Sequence, residues 1–253
     1  MKRFALSLLL IIAAICVVSC KKDNPNGKYG VDGKTPLPKA VDLGIVVEGK
    51  TILWASFNLG ASKEYDYGDY YAWGEVSPKA DYSWNTYVYT PGDKFTKYCP
   101  KDKEESKWDL TRKPLGADGE TRLLPEDDAA HVHLGGKWRM PSLIEVEALL
   151  ALTKDSDYTW DYTATVPNAQ GEDIVGVRVT RKSTGATIFL PSSGWRDGTE
   201  AKNDGVWGVF WSSVLQSKLA PDFAYGFSSA SDGLKLFNGA RSNGCVIRPV
   251  CEK

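Results

Sequence analysis

Residues Gly135–Leu152, GGKWRMPSLIEVEALLAL, carry the strongest structural signal in the chain. Ser142 followed by Glu145 is a capping box, in which hydroxyl and carboxylate satisfy the backbone N–H groups left open at a helix N-terminus. Leu143, Val146, Leu149, Leu150 and Leu152 recur at helical spacing and give that helix a face to bury. Glu145 and Glu147 suit the positive end of its dipole. Upstream, Pro125 fits a first helical position, Glu126, Asp127 and Asp128 fit the first turn, and Gly135-Gly136 fit the stop. This predicts a short helix over about residues 126–134. Trp138 and Arg139 stand between the two helices, and nothing here is a nucleophile, so the stretch reads as scaffold.

Working outward, the rest of the chain reads mostly as strands and loops. Val41–Val47 and Thr51–Phe57 are β-rich runs around Glu48-Gly49-Lys50, a hairpin signal. Tyr65–Glu75 is aromatic and punctuated by Gly, which suits a bulky core strand better than a stacking surface. Residues 76–124 have little periodicity, and loops of that length are uncommon and often functional. A polar, aromatic loop is expected through Tyr158, Trp160 and Tyr162. Val175, Val177 and Val179 alternate with other residues and pair as a hairpin with Ala186–Leu190. Short strands follow at Val206–Val214, Phe223–Ser228, Leu234–Asn238 and Cys245–Val250. Two helices early and strands late indicate an α+β domain of short antiparallel strands and long loops.

The N-terminus has a different character. Lys2 and Arg3 precede an apolar run, Phe4–Val18, that ends in small residues before Cys20. Residues 1–19 therefore read as a signal peptide, shorter than the ~20 apolar residues of a span. The pattern resembles a bacterial lipoprotein signal, which implies that Cys20 is the lipidated first residue of the mature chain. Lys21-Lys22-Asp23 resembles the export tag of Bacteroidetes-type surface lipoproteins, which places the protein on the outer membrane facing outward. Residues 20–39, polar and rich in Gly, Pro and Asn, read as a flexible tether, leaving residues 40–253 as one domain. Removing Lys2 and Arg3 from 31 basic residues leaves 29 against 32 acidic ones, a net charge of −3. No basic patch points to nucleic acid. Cys99, Cys245 and Cys251 remain for thiol chemistry, enough for one disulfide, and their spacing leaves the pairing open.

The residue types that carry chemistry are sparse. His131 and His133 are the two His of the chain, and two residues apart on a helix they point to different sides. No G-x-S-x-G elbow occurs, and Ser192-Ser193-Gly194 reads as a loop. Asp127-Asp128 and Glu104-Glu105 are sequence neighbours, which are normally capping or solvated acids, not a glycosidase pair. Trp54, Trp138 and Trp211 lie in apolar strings and read as core. Trp84, Trp108, Trp160, Trp195 and Trp207 lie among polar residues and are the better contact candidates.

Several strings resemble one family together: VDLG (41–44), LWASFNLGAS (53–62), YGDYYAWGE (67–75), DDAAHV (127–132), GGKWRMPS (135–142), IFLPSSGWR (188–196), VFWSSVL (209–215) and VIRPV (246–250). In order, and across most of the domain, they are similar to the Fibrobacter succinogenes major paralogous domain family of bacterial surface lipoproteins. The resemblance implies a C-type-lectin-like fold, related to the formylglycine-generating enzyme and to the variable domains of diversity-generating retroelements. It says more about fold and location than about activity. The EPN, QPD and WND triplets of calcium-dependent sugar sites are missing, so no cofactor or metal is expected. A structural calcium drawn from Asp66, Asp69, Asp127 and Asp128 stays an alternative.

In the retroelement-diversified relatives the C-terminal interval is the ligand face. By that resemblance Gln216, Asp222, Tyr225, Asp232, Lys235, Asn238, Arg241 and Asn243 become candidate contacts, with Trp207 beside them. The expected function is non-catalytic binding of an extracellular protein or glycan. The alternatives are a carbohydrate-active or formylglycine-generating-like enzyme, and a structural component of a surface assembly such as a pilus tip, which would present an open sheet edge.

Overall fold

The computed structural model describes residues 27–90, 95–98, 121–216 and 221–253. The signal segment, Cys20, Cys99, Glu104-Glu105 and Trp108 lie outside the described residues. The hairpin expected at Glu48-Gly49 joins β1 (Ala40–Val47) to β2 (Lys50–Ala55). Both turn residues have positive φ, 49° and 78°, as a tight hairpin turn requires. Helix α1 spans Ala129–Leu134 and α2 spans Leu143–Ala151, extended by a 3-10 turn at Leu152–Lys154. Strands β3 (Tyr158–Pro167), β4 (Asp173–Arg181) and β5 (Thr187–Pro191) form a meander. A two-stranded ribbon pairs β6 (Trp195–Asp197) with β7 (Glu200–Lys202). Strands β8 (Gly208–Leu215), β9 (Phe223–Ala230) and β10 (Gly233–Ala240) form a third sheet in the order β10-β9-β8. Finally β11 (Val250–Glu252) pairs with the free side of β2, so the two ends of the domain close one sheet.

The α+β expectation, a C-type-lectin-like arrangement with two helices, is incorrect. The described residues are 42% strand and 12% helical, with eleven strands in four small antiparallel sheets and one helical run of 12 residues, so the described fold is mainly β. The expected first helix is cut short because Asp128, in extended backbone, takes the cap position and Gly135, at φ +71°, ends the helix after six residues. The larger error is Tyr158–Pro167, expected as a loop and found as the longest strand. Its side chains alternate between half-buried and exposed, with Tyr158, Trp160 and Tyr162 on the inner face. Cys245–Val250 errs the other way. Cys245 and Val246 make single bridges to Tyr71 and Phe210, and regular pairing begins at Val250.

Two cores meet at β8, which is buried along its whole length. On one side Phe210 joins Ile45, Trp54, Val146, Leu149, Val179 and Phe227, so three sheets and α2 share one core. On the other side Val209 and Trp211 join Tyr71, Trp73, Leu134, Met140 and Ile247. Each such side chain contributes roughly 1.5–3 kcal/mol on burial. Trp73 and Trp211 lock the loop at residues 71–73 to β8. Trp73 Nε1 donates to Ser212 O and Trp211 Nε1 donates to Tyr71 O, each at 2.9 Å. Tyr65–Glu75 therefore supplies core aromatics, as expected, but from a loop, not a strand.

Part of the expected tether is docked on the body. Gly30 N donates to Thr35 O and Leu37 N to Lys28 O, closing a turn whose Asp32 Oδ2 lies 2.9 Å from His133 Nδ1. The approach is close enough that a Cβ at Gly30 would sit 2.1 Å from His133 O. Only glycine fits there. No described helix is long and apolar enough to cross a membrane.

Candidate functional site

Two concave regions compete for the role of site, and they differ in chemistry. The first is a cleft of about 320 Å³ at the entrance of both helices, bordered by the β1–β2 turn and by Ser213 of β8. Arg139, Met140 and Ser142 of the GGKWRMPS string line it, and most of its charged groups are held by one another or by backbone. Arg139 forks onto Glu145 at 2.7 and 2.6 Å, and Glu145 Oε2 also accepts from Ser142 N at 2.7 Å. Burial works to raise the Glu145 carboxyl, but the Arg139 fork and the Ser142 amide outweigh it and hold it below its ordinary value. Asp128 accepts from His131 N at 3.0 Å and Met140 N at 2.9 Å, and burial pushes its carboxyl up. Lys50 pairs with Glu252 at 3.0 Å. Four acidic residues line this cleft. Asp128 caps a helix, Glu145 is held in a charged fork, Glu252 pairs with Lys50, and Glu48 lies exposed in the β1–β2 turn, so the buried carboxylates serve as supports.

The second region is a groove of about 330 Å³ where β9 begins and β10 ends. Trp84, Phe95 and Phe223 form its aromatic walls, with Thr90, Asp222 and Ala240 completing the lining. Trp84 and Phe223 are 38% and 40% exposed, so their rings are offered to solvent. The indole of Trp84 is braced edge-on by Tyr87 at 5.5 Å and Phe95 at 5.8 Å. Asp222 is exposed, and its carboxylate has no hydrogen-bond partner among the described residues. Phe223 pairs with Ala240 across the two strands, and the next pair on that sheet face is Tyr225 with Asn238.

Arg241 lies beneath this groove and is fully buried. Its Nε donates to the Tyr87 hydroxyl at 2.9 Å. Its other nitrogens donate to the carbonyls of Tyr98, Pro221 and Lys97 at 3.0–3.1 Å. The guanidinium also lies 4.8 Å from the Phe95 ring centre and 5.0 Å from that of Trp73. Carbonyl dipoles and ring faces thus take the place of a carboxylate partner. Its backbone N–H donates to Asp222 O at 2.9 Å. One side chain therefore ties together the loops that hold Phe95, Asp222 and the base of the Trp84 segment. A second buried arginine, Arg248, does the same elsewhere, donating to Asn58 Oδ1, Ala55 O and Phe189 O at 2.6–3.0 Å. Burial brings it down to about 9, opposed in part by the charge of Glu64.

The nine expected contacts do not converge on one patch. Asp222 lines the groove, and Tyr225 and Asn238 adjoin it on the same sheet face. Gln216 lies close by, its amide donating to Phe223 O at 3.0 Å. Arg241 is a buried clamp, not an exposed contact, because its charge is used up inside the fold. Asp232 and Lys235 pair with each other at the β9–β10 turn, and Lys235 belongs to the opposite sheet face. Trp207 is 40% exposed and stacks on Trp195 at 5.9 Å. Asn243 is half-buried in the turn after β10, its N–H donating to Ala240 O. Phe95 and Phe223 were missed as contacts, because a Phe that lines a groove has the same local sequence as one packed in a core.

The remaining candidates are structural. Cys245 and Cys251 are free, buried thiols, and burial pushes both up. His133 is held between Asp32 and Val76 O, the latter at 2.7 Å, and His131 Nδ1 lies 3.3 Å from Trp138 O. The four acids weighed for calcium are dispersed in other duties. Asp66 accepts from Ser62 N and Lys63 N, Asp127 accepts from the Tyr89 and Tyr98 hydroxyls, and Asp128 caps α1. Among the described residues no three metal-capable side chains gather. Trp160 stacks on Tyr162 and packs half-buried against the first core. A shallower groove of about 400 Å³ beside Tyr65 and Tyr67 has its Asp66 and Asn168 already tied into turns. No protein-family model, no curated protein and no solved structure matches the chain.

Proposed function

We propose that this chain is a cell-surface lipoprotein, anchored in the outer membrane through Cys20, whose domain binds an extracellular protein or glycan without catalysis. The signal-like N-terminus and the strings similar to the major paralogous domain family support the location. One observation carries the binding role: solvent-facing aromatic walls and a carboxylate without a side-chain partner among the described residues, held from below by Arg241. Such pre-organisation lowers the ordering cost of binding. The groups that would serve an enzyme are engaged instead as caps, forks and clamps.

A glycan array together with a pulldown of surface proteins, using the lipidated chain, tests this reading. Binding lost on Trp84→Ala supports it, and no binding to any glycan or surface protein sinks it. Incorporation of a radiolabelled fatty acid, abolished in Cys20→Ser, tests the anchor. A structural role in a surface assembly has one feature in its favour. Among the described residues β10 pairs with β9 alone, leaving its other edge for strand addition.

A further inference from the structure

We infer that the groove at Trp84 and Phe223 takes uncharged sugar rings, with Asp222 accepting from their hydroxyls and turning acidic sugars away. This rests on the binding reading above and names the ligand class. Size argues first. This groove encloses about 330 Å³. That lies at the low end of small-ligand sites, roughly 300–1,000 Å³, and suits the end or a short run of a glycan chain.

The chemistry of the lining argues second. A pyranose ring has an apolar C–H face and an edge of hydroxyl donors, and the groove offers a partner for each. Trp84 and Phe223 expose ring faces, and Trp84 is held in place by its edge contacts to Tyr87 and Phe95. Asp222 is an acceptor only when ionised, with two oxygens able to take neighbouring hydroxyls. Its carboxylate has no partner to give up among the described residues. It is also the sole charged side chain among the described lining residues, so the groove is negative and repels a uronate or any other carboxylated sugar.

Rigidity argues third. Arg241 donates to the carbonyls of Lys97, Tyr98 and Pro221 and, from its backbone, to Asp222 O, so both walls hang from one buried group. On the same sheet face Tyr225 and Asn238 extend the surface along β9 and β10, in position for a second ring.

The test is calorimetry on the full chain with a panel of neutral hexasaccharides (cellohexaose, xylohexaose, mannohexaose and maltohexaose) and with hexagalacturonate as the acidic counterpart. We expect at least one neutral hexasaccharide to bind, and hexagalacturonate to bind at least tenfold more weakly. Trp84→Ala and Phe223→Ala should each weaken binding tenfold or more, with Trp207→Ala, outside the groove, unchanged. Asp222→Asn should weaken neutral binding about fivefold and narrow the gap to hexagalacturonate. If Trp84→Ala fails to fold, Phe223→Ala and Asp222→Asn decide. Sugar binding untouched by the groove variants overturns the inference, as does equal affinity for hexagalacturonate. No neutral hexasaccharide bound, with a surface protein captured in a Trp84-dependent way, overturns the sugar class and leaves the binding reading standing. Neither sugar nor protein bound overturns both.

Discussion

The polar cleft at the helix entrance and the aromatic groove at the end of β9 and β10 are alike in size and opposite in design. In the cleft, Arg139, Glu145, Asp128, Lys50 and Glu252 satisfy one another or cap backbone. In the groove, polar satisfaction lies underneath, at Arg241, and the surface keeps exposed rings at Trp84 and Phe223 and a carboxylate, Asp222, with no side-chain partner among the described residues. A buried charge left without partners is costly, so clustered charges in a fold are first a means of holding it together. A ligand needs groups that are held in place without being used up. Concavity and charge by themselves would have selected the cleft, and the state of each group's hydrogen bonds selects the groove.

The largest way to break this contrast is to remove the clamp. Arg241→Ala should cost roughly 3–5 kcal/mol, because Tyr87 and three carbonyls lose a charged donor and each buried group left unsatisfied costs about 1–3 kcal/mol. Denaturant unfolding measures it, and a cost under about 1 kcal/mol would mean that the groove is not held from below. Leu149→Ala, in the core behind α2, should cost about 3 kcal/mol. The folded variant should bind as the parent does, since no residue of α2 lines the groove. Lost binding in that variant would move the site toward the helices.

Glu145→Gln should cost about 1–3 kcal/mol, as hydrogen bonds to charged groups do. Glu145 has a folded value below its ordinary one, so its contribution is complete above about pH 4.5 and is lost as pH falls through the folded value. The Gln variant should therefore show a shallower loss of stability in acid, read from melting temperatures between pH 6 and 3.

Asp32 follows the same sign. Burial works to raise it, but hydrogen bonds from the Thr35 hydroxyl and amide, the Lys34 amide and His133 outweigh that and hold it well below the carboxylate range. The docked turn at residues 28–37 should thus stay closed until strong acid, and Asp32→Asn should open it at neutral pH. Hydrogen exchange at Gly30 N–H, which donates to Thr35 O, reports the difference. The smallest effect sharpens the contrast from the other side. Phe223→Ala, on a ring 40% exposed, should change stability by no more than about 0.5–1 kcal/mol. A larger loss would make Phe223 a support, not a contact.

Much of the frame was legible locally. The capping pair at Ser142 and Glu145, the turn at Glu48-Gly49 and the alternation through Val175, Val177 and Val179 each fix their own neighbourhood within a few residues. The aromatic alternation in Tyr158–Val166 was equally present, and was misread because its exposed face is Thr and Asp, which also mark loops. The site was less legible. Asp222, Tyr225 and Asn238 were reached through the resemblance to retroelement-diversified relatives, whose C-terminal interval is the ligand face, while Phe95 and Phe223 were not.

The sequence by itself determined where α2 starts, which strands pair through short turns, and which residue types are present for chemistry, because these depend on neighbours along the chain. The tertiary structure alone decided that the described fold is mainly β, that Arg241 is a clamp beneath the groove, and that Asp222 is exposed at its rim. Whether a charged or aromatic side chain is used up or left available depends on partners such as Tyr87, Lys97 and Pro221, distant in sequence and brought to it only by the fold.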